Sequence, residues 1–345
     1  MGSERDREAG GYDGERRPAA AAIGLALALG GLAVLASCSG RFSAEAPAAP
    51  ATGARVVVLG TAQDGGLPQP GCACVRCERA AREPAFARLV SSVAVVGSGE
   101  SPPVHLLDAG PDAPRQLARL GRLGLAKPGR NPVDGVLLTH AHVGHYLGLA
   151  AFGREVMGST RLPVHCTGRM ASFLESNGPW DLLVRLGHVE LRRFAPGSSV
   201  DLGAGIRVEP IPVPHRDEYS DTVGFVVRGP ARSVLYLPDL DSWDRGWTSP
   251  KSPEELLSSV DVALVDGTFF SEEELPGRSR SEVPHPPMIA TAERFAPLFR
   301  DGTRSLLFIH LNHSNPAADP ASTESARLRA LGAGVASDGL EIPLE

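Results

Sequence analysis

The sequence predicts an α/β (α+β) fold in which two mixed β-sheets are covered by helices on their outer faces. Short apolar runs rich in β-branched residues first follow one another as a meander and later alternate with helical segments. The chain has 345 residues, of which 42% are hydrophobic, so it is long enough to bury a sizeable core. Two sheets with helices outside them satisfy this order of elements.

The first half of the folded region contains six predicted strands and two predicted helices. The run from Arg55 is apolar and ends at Gly60, and the dipeptide Pro111-Asp112 opens a helix. The run 135–138 is a buried strand that continues directly into Thr139 and His140. The strands are predicted at 55–59, 92–96, 104–107, 135–138, 164–166 and 189–194, and the helices at 111–123 and 147–157.

The second half repeats one theme, an apolar strand followed by a polar and reactive residue. Five strands are predicted here, at 206–213, 223–227, 234–237, 262–265 and 306–309. Helices are predicted at 289–299 and 323–331. No internal repeat occurs at a fixed period.

The charge balance argues against a nucleic-acid partner. The chain carries 34 Lys and Arg against 40 Asp and Glu, which gives a formal net charge of −6. Phosphate backbones select basic faces, and this protein has an acidic balance. Aromatic residues make up only 5%, so stacking platforms for single strands are not expected.

The first 37 residues have the pattern of an export signal. Residues 18–37 contain no charge, and Arg16 and Arg17 precede them. A positive flank, an apolar stretch and small residues at the exit are the order of a secretory signal peptide. The exit, Leu35-Ala36-Ser37-Cys38, resembles a bacterial lipobox, in which Cys38 would be lipidated and become the mature N-terminus.

These features divide the chain into a lipoprotein-type signal peptide (1–37), a flexible tether (38–54) and a folded domain (55–345). The domain is expected outside the cytoplasm, in the periplasm or at the cell surface, with a membrane as partner through the lipid on Cys38. Segment 1–17 holds five acidic residues beside four arginines, which departs from the usual signal. An uncleaved membrane anchor and a misplaced start site are the alternatives.

Three histidines within six residues form the strongest functional signal. His140, His142 and His145 follow directly after the strand predicted at 135–138. At a strand end the first two can project to the same side, and a turn brings the third to them. Imidazole nitrogen suits Zn, Fe and Mn, so the spacing predicts a metal site. A polar loop that happens to be rich in histidine is the alternative.

His215, Asp239 and His310 also stand at the ends of predicted strands. The order of the whole set resembles the metallo-β-lactamase superfamily of hydrolases, over about Arg55 to Leu344. The resemblance implies an αββα sandwich with a metal site at one edge of the sheets. It also implies that His140, His142 and His215 hold a first metal, that His145 and His310 hold a second, and that Asp239 bridges both.

Two acidic positions need separate interpretation. Asp108 ends the strand at 104–107 and matches the strand-end acid of the superfamily; we predict that it orients a ligand histidine rather than binding metal. The superfamily usually has Asp just before its third histidine, and here that residue is Gly144. The second metal then binds weakly or is lost, unless another carboxylate replaces the missing one. The candidates near a ligand in sequence are Asp217, Glu218 and Asp241.

Three thiols also fall within six residues. Cys72, Cys74 and Cys77, taken with a fourth ligand, suit a closed tetrahedral structural zinc site. The alternative is a set of disulfides that includes Cys166, because compartments outside the cytoplasm are oxidising and allow disulfides to form. Close neighbours such as Cys72 and Cys74 pair poorly because the geometry is strained.

The segment 59–72, LGTAQDGGLPQPGC, resembles the start of two branches of the superfamily. One is the coenzyme PQQ biosynthesis protein B family, and the other is the phosphodiesterase branch that acts on cyclic phosphates in phosphonate degradation. Similarity to the second branch implies that His313, three residues after His310, completes the structural zinc site. It also implies that His285 assists catalysis, with a loop histidine between prolines as the alternative. Asp266 is predicted to be a structural turn acid.

The resemblance implies metal-dependent hydrolysis of a small-molecule substrate, of the phosphoric diester class, by water that the metal activates. Asp239 and His285 are the implied catalytic residues, the second as general acid. Zinc is expected at both sites, with Mn and Fe as alternatives at the active site. A role in PQQ biosynthesis and a non-catalytic metal-binding surface lipoprotein are the alternative functions.

Overall fold

Two seven-stranded β-sheets share one core at the centre of the fold. The computed structural model describes residues 53–195, 197–274 and 283–345. The predicted signal peptide, the predicted lipidation site Cys38 and almost all of the predicted tether lie outside the described residues. Within those residues, no helix combines the length and the apolar character that crossing a bilayer requires.

The first sheet begins as an antiparallel meander and continues with parallel strands. Its strand order is β14-β1-β2-β3-β4-β5-β6. Strands β1 to β3 pair antiparallel, and β3 to β6 pair parallel. The strands are β1 (Arg55–Gly60), β2 (Ser92–Val96), β3 (Val104–Leu107), β4 (Gly135–Leu137), β5 (Leu162–Cys166), β6 (Val189–Arg193) and β14 (Glu341–Pro343).

The second sheet has the same combination of antiparallel and parallel pairs. Its order is β13-β12-β11-β10-β9-β8-β7, antiparallel from β7 to β10 and parallel from β10 to β13. The strands are β7 (Val200–Gly203), β8 (Ile206–Pro212), β9 (Val223–Arg228), β10 (Ser233–Leu237), β11 (Val262–Asp266), β12 (Ser305–Ile309) and β13 (Ala333–Val335).

Eight α-helices occur in the described residues, and several of them pack on the outer faces of the sheets. They are α1 (Val75–Arg82), α2 (Ala113–Arg122), α3 (Val143–Tyr146), α4 (Gly168–Ser176), α5 (Trp180–Arg185), α6 (Pro253–Ser258), α7 (Met288–Phe295) and α8 (Thr323–Leu331). Short 3₁₀ helices occupy Leu147–Phe152, Glu272–Glu274, Ala296–Phe299 and Pro316–Ala318.

The alternation of side chains along the strands builds three apolar layers. In β1, Val56 and Val58 face the second sheet, whereas Val57 and Leu59 face the helices outside the first sheet. The period of two along a strand produces this division. Because both faces are covered, β1 is buried along its whole length, which explains why it reads as a continuous apolar run. The predicted fold class is confirmed.

Two predicted helices differ from the structure. Of the segment predicted as a helix at 147–157, only Leu147–Phe152 is helical, and it is a 3₁₀ helix that ends before Gly153. The helix predicted at 289–299 is divided into α7 and a 3₁₀ turn. Pro297 lies in that turn, and proline cannot continue the hydrogen-bonding pattern of an α-helix.

The polar residues that follow the strands lie at one edge of the two sheets. Asp108 and His310, directly after β3 and β12, both have positive φ angles, 64° and 63° respectively. Non-glycine residues avoid this region, so their backbone is strained just where the chain leaves the sheets. Such strain persists where the surrounding structure holds it in place, and here it turns two side chains toward the same edge.

Candidate metal centre

The structure brings the predicted active-site residues together into two adjoining clusters. The first cluster is His140, His142, His215 and Asp239, whose candidate ligand atoms all lie within 4.8 Å of one another. The second cluster, defined in the same way, is Asp64, His145 and His310. The chain segments that supply them are far apart in sequence and meet because the carboxyl ends of the strands share one edge.

The distances in the first cluster match those of ligands around one ion. His142 Nδ1 lies 3.0 Å from His140 Nε2 and 2.9 Å from His215 Nε2. Asp239 Oδ2 lies 3.4 Å from His140 Nε2 and 3.6 Å from His215 Nε2. Ligands that share a tetrahedral zinc at about 2.0–2.1 Å are roughly 3.3 Å apart. The four groups can therefore surround one metal ion after only small shifts.

Asp239 lies between the two clusters. The same oxygen, Oδ2, is 3.2 Å from His145 Nε2 and 3.6 Å from His310 Nε2. Asp64 Oδ1 is 3.9 Å from His145 Nε2. One carboxylate oxygen thus faces imidazoles of both clusters, which is the placement that a bridging ligand requires.

Several atoms of the clusters are buried without a hydrogen bond. His145 Nε2, His310 Nε2, Asp239 Oδ1 and Asp64 Oδ1 have no hydrogen-bond partner in the described part of the chain. An unsatisfied buried polar atom costs about 1–3 kcal/mol, so a group of them at one place needs compensation. A divalent cation bound among these atoms would supply it, and the residues present therefore fit a metal.

The ring nitrogens that point away from the clusters all have oxygen partners. Such outer contacts fix the orientation of a ligand imidazole and its tautomer. The contacts are His140 Nδ1 to Thr139 (2.9 Å), His142 Nε2 to Glu218 (2.9 Å), His215 Nδ1 to Asp241 (2.7 Å), His145 Nδ1 to Asp108 (2.8 Å) and His310 Nδ1 to Thr268 (3.1 Å).

Asp108 lies in the orienting position that the sequence predicts. Its side chain is buried and accepts hydrogen bonds from the Nδ1–H of His145, from the amide and hydroxyl of Thr139 and from the hydroxyl of Tyr236. These donors use both of its oxygens. Asp108 therefore acts on the centre through His145 and not as part of either cluster.

The electrostatics favour the ligand forms of several groups. Burial lowers the pKa of His140 well below its ordinary value, and it lowers the pKa of His310 as well. Burial alone would raise the pKa of Asp239, but the facing imidazoles of His215 and His310 hold it well below its usual range. Neutral imidazoles and an ionised carboxylate are the forms that coordinate a metal.

His285 lies beside the centre and is held by a second buried acid. Its Nδ1 is 2.7 Å from Asp266 Oδ2 and 3.5 Å from Asp239 Oδ1. Burial alone would lower the pKa of His285, but Asp266 raises it to about 9. Asp266 also accepts hydrogen bonds from the amides of Leu240 and Thr268. The prediction of a turn acid at Asp266 is therefore incomplete, because this carboxylate also orients His285.

A pocket of about 660 Å³ opens next to His285. Its wall includes Asp241, Trp243, Arg245 and Thr291, so it extends from the centre along the segment that follows β10. Trp243 is buried and donates a hydrogen bond to Thr291 at 3.1 Å, which fixes that part of the wall. The pocket gives a small molecule access to the groups around His285.

The predicted structural zinc residues form a third group, the cysteine cluster. Its members are Cys72, Cys74, Cys77 and His313. The three sulfurs lie 3.4, 3.8 and 3.5 Å from His313 Nδ1. Sulfur and nitrogen ligands of one tetrahedral zinc lie about 3.6 Å apart. The four cysteines of the described residues are all free thiols, so the disulfide alternative finds no support.

The cysteine cluster favours a thiolate. Burial alone would raise the pKa of Cys74, but hydrogen bonds from the Cys77 amide, from His313 and from the neighbouring thiols lower it to about 6. The thiolate is the form that binds metals. His313 is only three residues beyond His310, so the segment that follows β12 supplies one residue to each of two sites.

The three carboxylates proposed to replace an acid at Gly144 lie elsewhere. Glu218 contacts His142, Asp241 contacts His215, and Asp217 accepts a hydrogen bond from Thr222 at 3.3 Å. The residue that joins the second cluster is Asp64, to which the sequence reasoning assigned no role. The signal was present, since Asp64 lies between a strand and the glycine pair 65–66, where a loop returns to the sheet edge.

Comparisons with known proteins agree with this geometry. The profile of the beta-lactamase superfamily domain matches residues 105–311. Coenzyme PQQ synthesis protein B of Cupriavidus necator is 30% identical over 317 residues, which cover 83% of this chain and 98% of that protein. The residues matched by the superfamily profile include every histidine of the two clusters.

Two solved structures share the fold. Zinc-bound PqqB from Methylobacterium extorquens superposes with a TM-score of 0.69 at 24% identity, over 84% of this chain and 100% of that one. A diphosphatase from the PhnP family superposes with a TM-score of 0.58 at 23% identity, over 84% of this chain and 96% of the other.

Proposed function

Because the chain belongs to the metallo-β-lactamase superfamily, and within it to the coenzyme PQQ synthesis protein B family, we propose that it is a metal-dependent hydrolase whose substrates are phosphoric diesters. The observation that carries this proposal is the convergence of five imidazoles on Asp239 beside a sixth, His285. His140, His142 and His215 would hold one metal, His145 and His310 a second, and Asp239 would contact both. Zinc suits this donor set.

Bound in this centre, zinc would act as a Lewis acid that polarises a phosphoryl oxygen and makes water a better nucleophile. The chain's own residues supply the remaining functions. Asp239 offsets the positive charge, and the contacts to Asp108, Asp241 and Glu218 hold three of the imidazoles in place. Preorganised groups of this kind lose little free energy to rearrangement during the reaction.

We assign His285 to protonation of the leaving oxygen. Its pKa of about 9 keeps it protonated at neutral pH, as a general acid requires. Asp266 fixes the imidazole through Nδ1, so the proton that His285 transfers is the one on Nε2. An alkoxide is a poor leaving group, and a proton supplied at this position stabilises it as the ester bond breaks.

The pocket beside His285 is mixed in charge, since its wall carries three acids and two arginines, and one of these arginines can meet an anionic substrate. Arg245 lies on its wall, has an exposed side chain and pairs with no acid in the described part of the chain. A guanidinium group in this position attracts a phosphate by charge and can form two parallel hydrogen bonds with it.

The direct test is hydrolysis of bis-p-nitrophenyl phosphate and of a β-lactam, each with and without added Zn²⁺ or Mn²⁺. We expect metal-dependent turnover of the phosphodiester and none of the β-lactam.

His142→Ala should lose both metal from the first cluster and turnover, because Nδ1 of His142 lies in the middle of that cluster. Retained turnover in this variant would refute the assignment. Tight metal binding without turnover of any substrate would favour a metal-binding protein without catalytic activity.

A role in coenzyme PQQ synthesis is the second candidate function, since the relatives at about 30% identity carry that name. The full chain can be tested for complementation of a bacterial strain that lacks its own PQQ synthesis protein B, with His142→Ala as the control. Restored PQQ production by the wild-type chain alone would support this role over a separate hydrolase.

We also propose that the chain is an extracytoplasmic lipoprotein, anchored to the membrane through Cys38. The proposal is supported by the apolar stretch 18–37 and the lipobox-like sequence that ends at Cys38. Fractionation of cells that express the wild-type chain and Cys38→Ser tests it. We expect the wild-type chain in the membrane fraction with a labelled fatty acid, and the variant without label.

A further inference from the structure

Gly144 and Asp64 compete for the same space. Gly144 is the second residue of α3 and is buried between His142 and His145 in the chain. A Cβ atom added to Gly144 would lie 1.8 Å from Oδ1 of Asp64 and 2.9 Å from its Cγ. No side chain larger than a hydrogen atom fits there while Asp64 is in place. The carboxylate of Asp64 thus fills the volume that a side chain at residue 144 would otherwise occupy.

Asp64 is held in this position by the backbone on its N-terminal side. Ala62 forms β-bridges to Val90 and to Leu311, and the amide of Gln63 donates to the Leu311 oxygen at 2.8 Å. Leu311 directly follows His310 of the second cluster. The loop then turns back through a hydrogen bond from the amide of Gly66 to the Gln63 oxygen, with Gly66 at a φ of 69° that favours glycine.

The Asp64 carboxylate is aimed at the second cluster and has an unsatisfied oxygen there. Oδ1 is buried and has no hydrogen-bond partner among the described residues, although the side chain as a whole is 36% exposed. It lies 3.9 Å from His145 Nε2, so the carboxylate has to approach by about 0.6 Å to reach the roughly 3.3 Å between two ligands of one tetrahedral zinc. His145 Nε2 and His310 Nε2 are buried without partners at the same place.

We propose that Asp64 is the carboxylate ligand of the second metal and replaces the aspartate that the superfamily usually carries at the position of Gly144. The inference builds on the metal centre of the proposed function and adds a ligand from a different segment of the chain. The exchange is reciprocal, because the aspartate can come from the loop after β1 only if residue 144 is glycine. The second cluster then offers Asp64, His145 and His310, with Asp239 shared.

The test is the number of zinc ions bound by purified full chain, measured by elemental analysis and by calorimetric titration of the metal-free protein with Zn²⁺. Wild type should bind three, one in each of the two histidine clusters and one in the cysteine cluster. Asp64→Asn keeps the shape of the side chain but removes its charge, and it should lower the affinity of one site by more than the roughly 10–100-fold typical of residues outside the coordination shell. Asp217→Asn is the control and should bind like wild type.

A double variant, Asp64→Gly with Gly144→Asp, tests the reciprocity. The new side chain has space once the Asp64 carboxylate is gone, although its Cβ would still lie 3.0 Å from the Cα of residue 64. It should recover the third zinc ion that Asp64→Gly alone loses. Three ions bound at unchanged affinity by Asp64→Asn would overturn the inference. Since these titrations need no substrate, the result stands apart from any failure to find hydrolytic activity.

Discussion

At the scale of single residues, each imidazole of the centre has one ring nitrogen that faces a cluster and another that contacts an oxygen atom. His285 follows the same rule but differs in charge, because Asp266 raises its pKa to about 9 whereas burial lowers the pKa of His140. Asp108 outweighs the effect of burial and raises the pKa of His145 as well, so the place of His285 beside the clusters, rather than its pKa, distinguishes it from the ligands.

His285→Asn should lower kcat by about 10²–10⁴-fold if His285 is the general acid, because asparagine cannot supply the proton. Steady-state kinetics with a phosphodiester and zinc analysis of the same preparation would measure both effects. The zinc content should stay at the wild-type value. Loss of zinc together with activity would instead make His285 a ligand. Asp266→Asn should reduce kcat less, since it acts only through the orientation of His285.

The sequence was sufficient to predict those residues whose neighbours along the chain reveal them. His140, His142 and His145 follow a strand within a few residues, so their convergence could be inferred locally. Asp64 and Asp266 could not be assigned in this way. Asp64 is revealed by its contact with Gly144, which is 80 residues further along the chain, and Asp266 by its hydrogen bond with His285 in a later loop. Pairings of this kind are made by tertiary packing, which leaves no periodic pattern in the sequence.

At the scale of elements, strands were easier to predict than helices. The eleven predicted strands, which are short apolar runs, are all present, whereas β7, β13 and β14 were not predicted. The helix at Thr323–Leu331 matches its prediction in both bounds. Short helices such as α5 (Trp180–Arg185) have too few turns for a helical period to emerge. The pairing of β14 with β1 depends on contacts between the two ends of the domain. Helix α6, in contrast, had a readable start signal, because Ser252 and Glu255 form a capping box.

Ser252→Ala should destabilise the domain by about 0.5–2 kcal/mol, because the Ser252 side chain accepts a hydrogen bond from the Glu255 amide at 3.2 Å. Chemical denaturation measures the change in the free energy of unfolding. Ser258→Ala, at the other end of the same helix, is the matched control and should have almost no effect. Equal stability of the two variants would mean that the capping box contributes nothing measurable. Zinc content should be unchanged in both.

At the scale of the whole molecule, the strand ends of two sheets and the cysteine cluster form one connected metal-binding edge. The first sheet supplies His140 after β4, and the second supplies Asp239 after β10 and His310 after β12. The core layer between the sheets includes Val58, Leu137 and Tyr236, so the spacing of the ligands depends on its packing. Close-packed interiors resist deformation, which makes the sandwich a rigid support for the centre.

Cys77→Ser should remove one zinc ion and lower the temperature of unfolding, because the free energy of zinc binding adds to that of folding. Cys77 is the buried cysteine of the cluster, and its sulfur is 3.5 Å from His313 Nδ1. Elemental analysis and thermal unfolding measure the two effects. Cys166→Ser, a free cysteine on β5 outside the cluster, is the control for zinc content. An unchanged zinc content in the Cys77 variant would contradict a structural zinc at this place.

The cysteine cluster and the second cluster are close together along the chain, so the two sites depend on the same two segments. Asp64 and Cys72 belong to one loop, and His310 and His313 leave the same strand. A zinc ion bound by the thiolates and His313 would therefore hold together two peptide segments, each of which carries a residue of the second cluster. Without that zinc ion both segments would lose a shared anchor, so the loss of an ion that does not contact substrate would also disturb the second cluster.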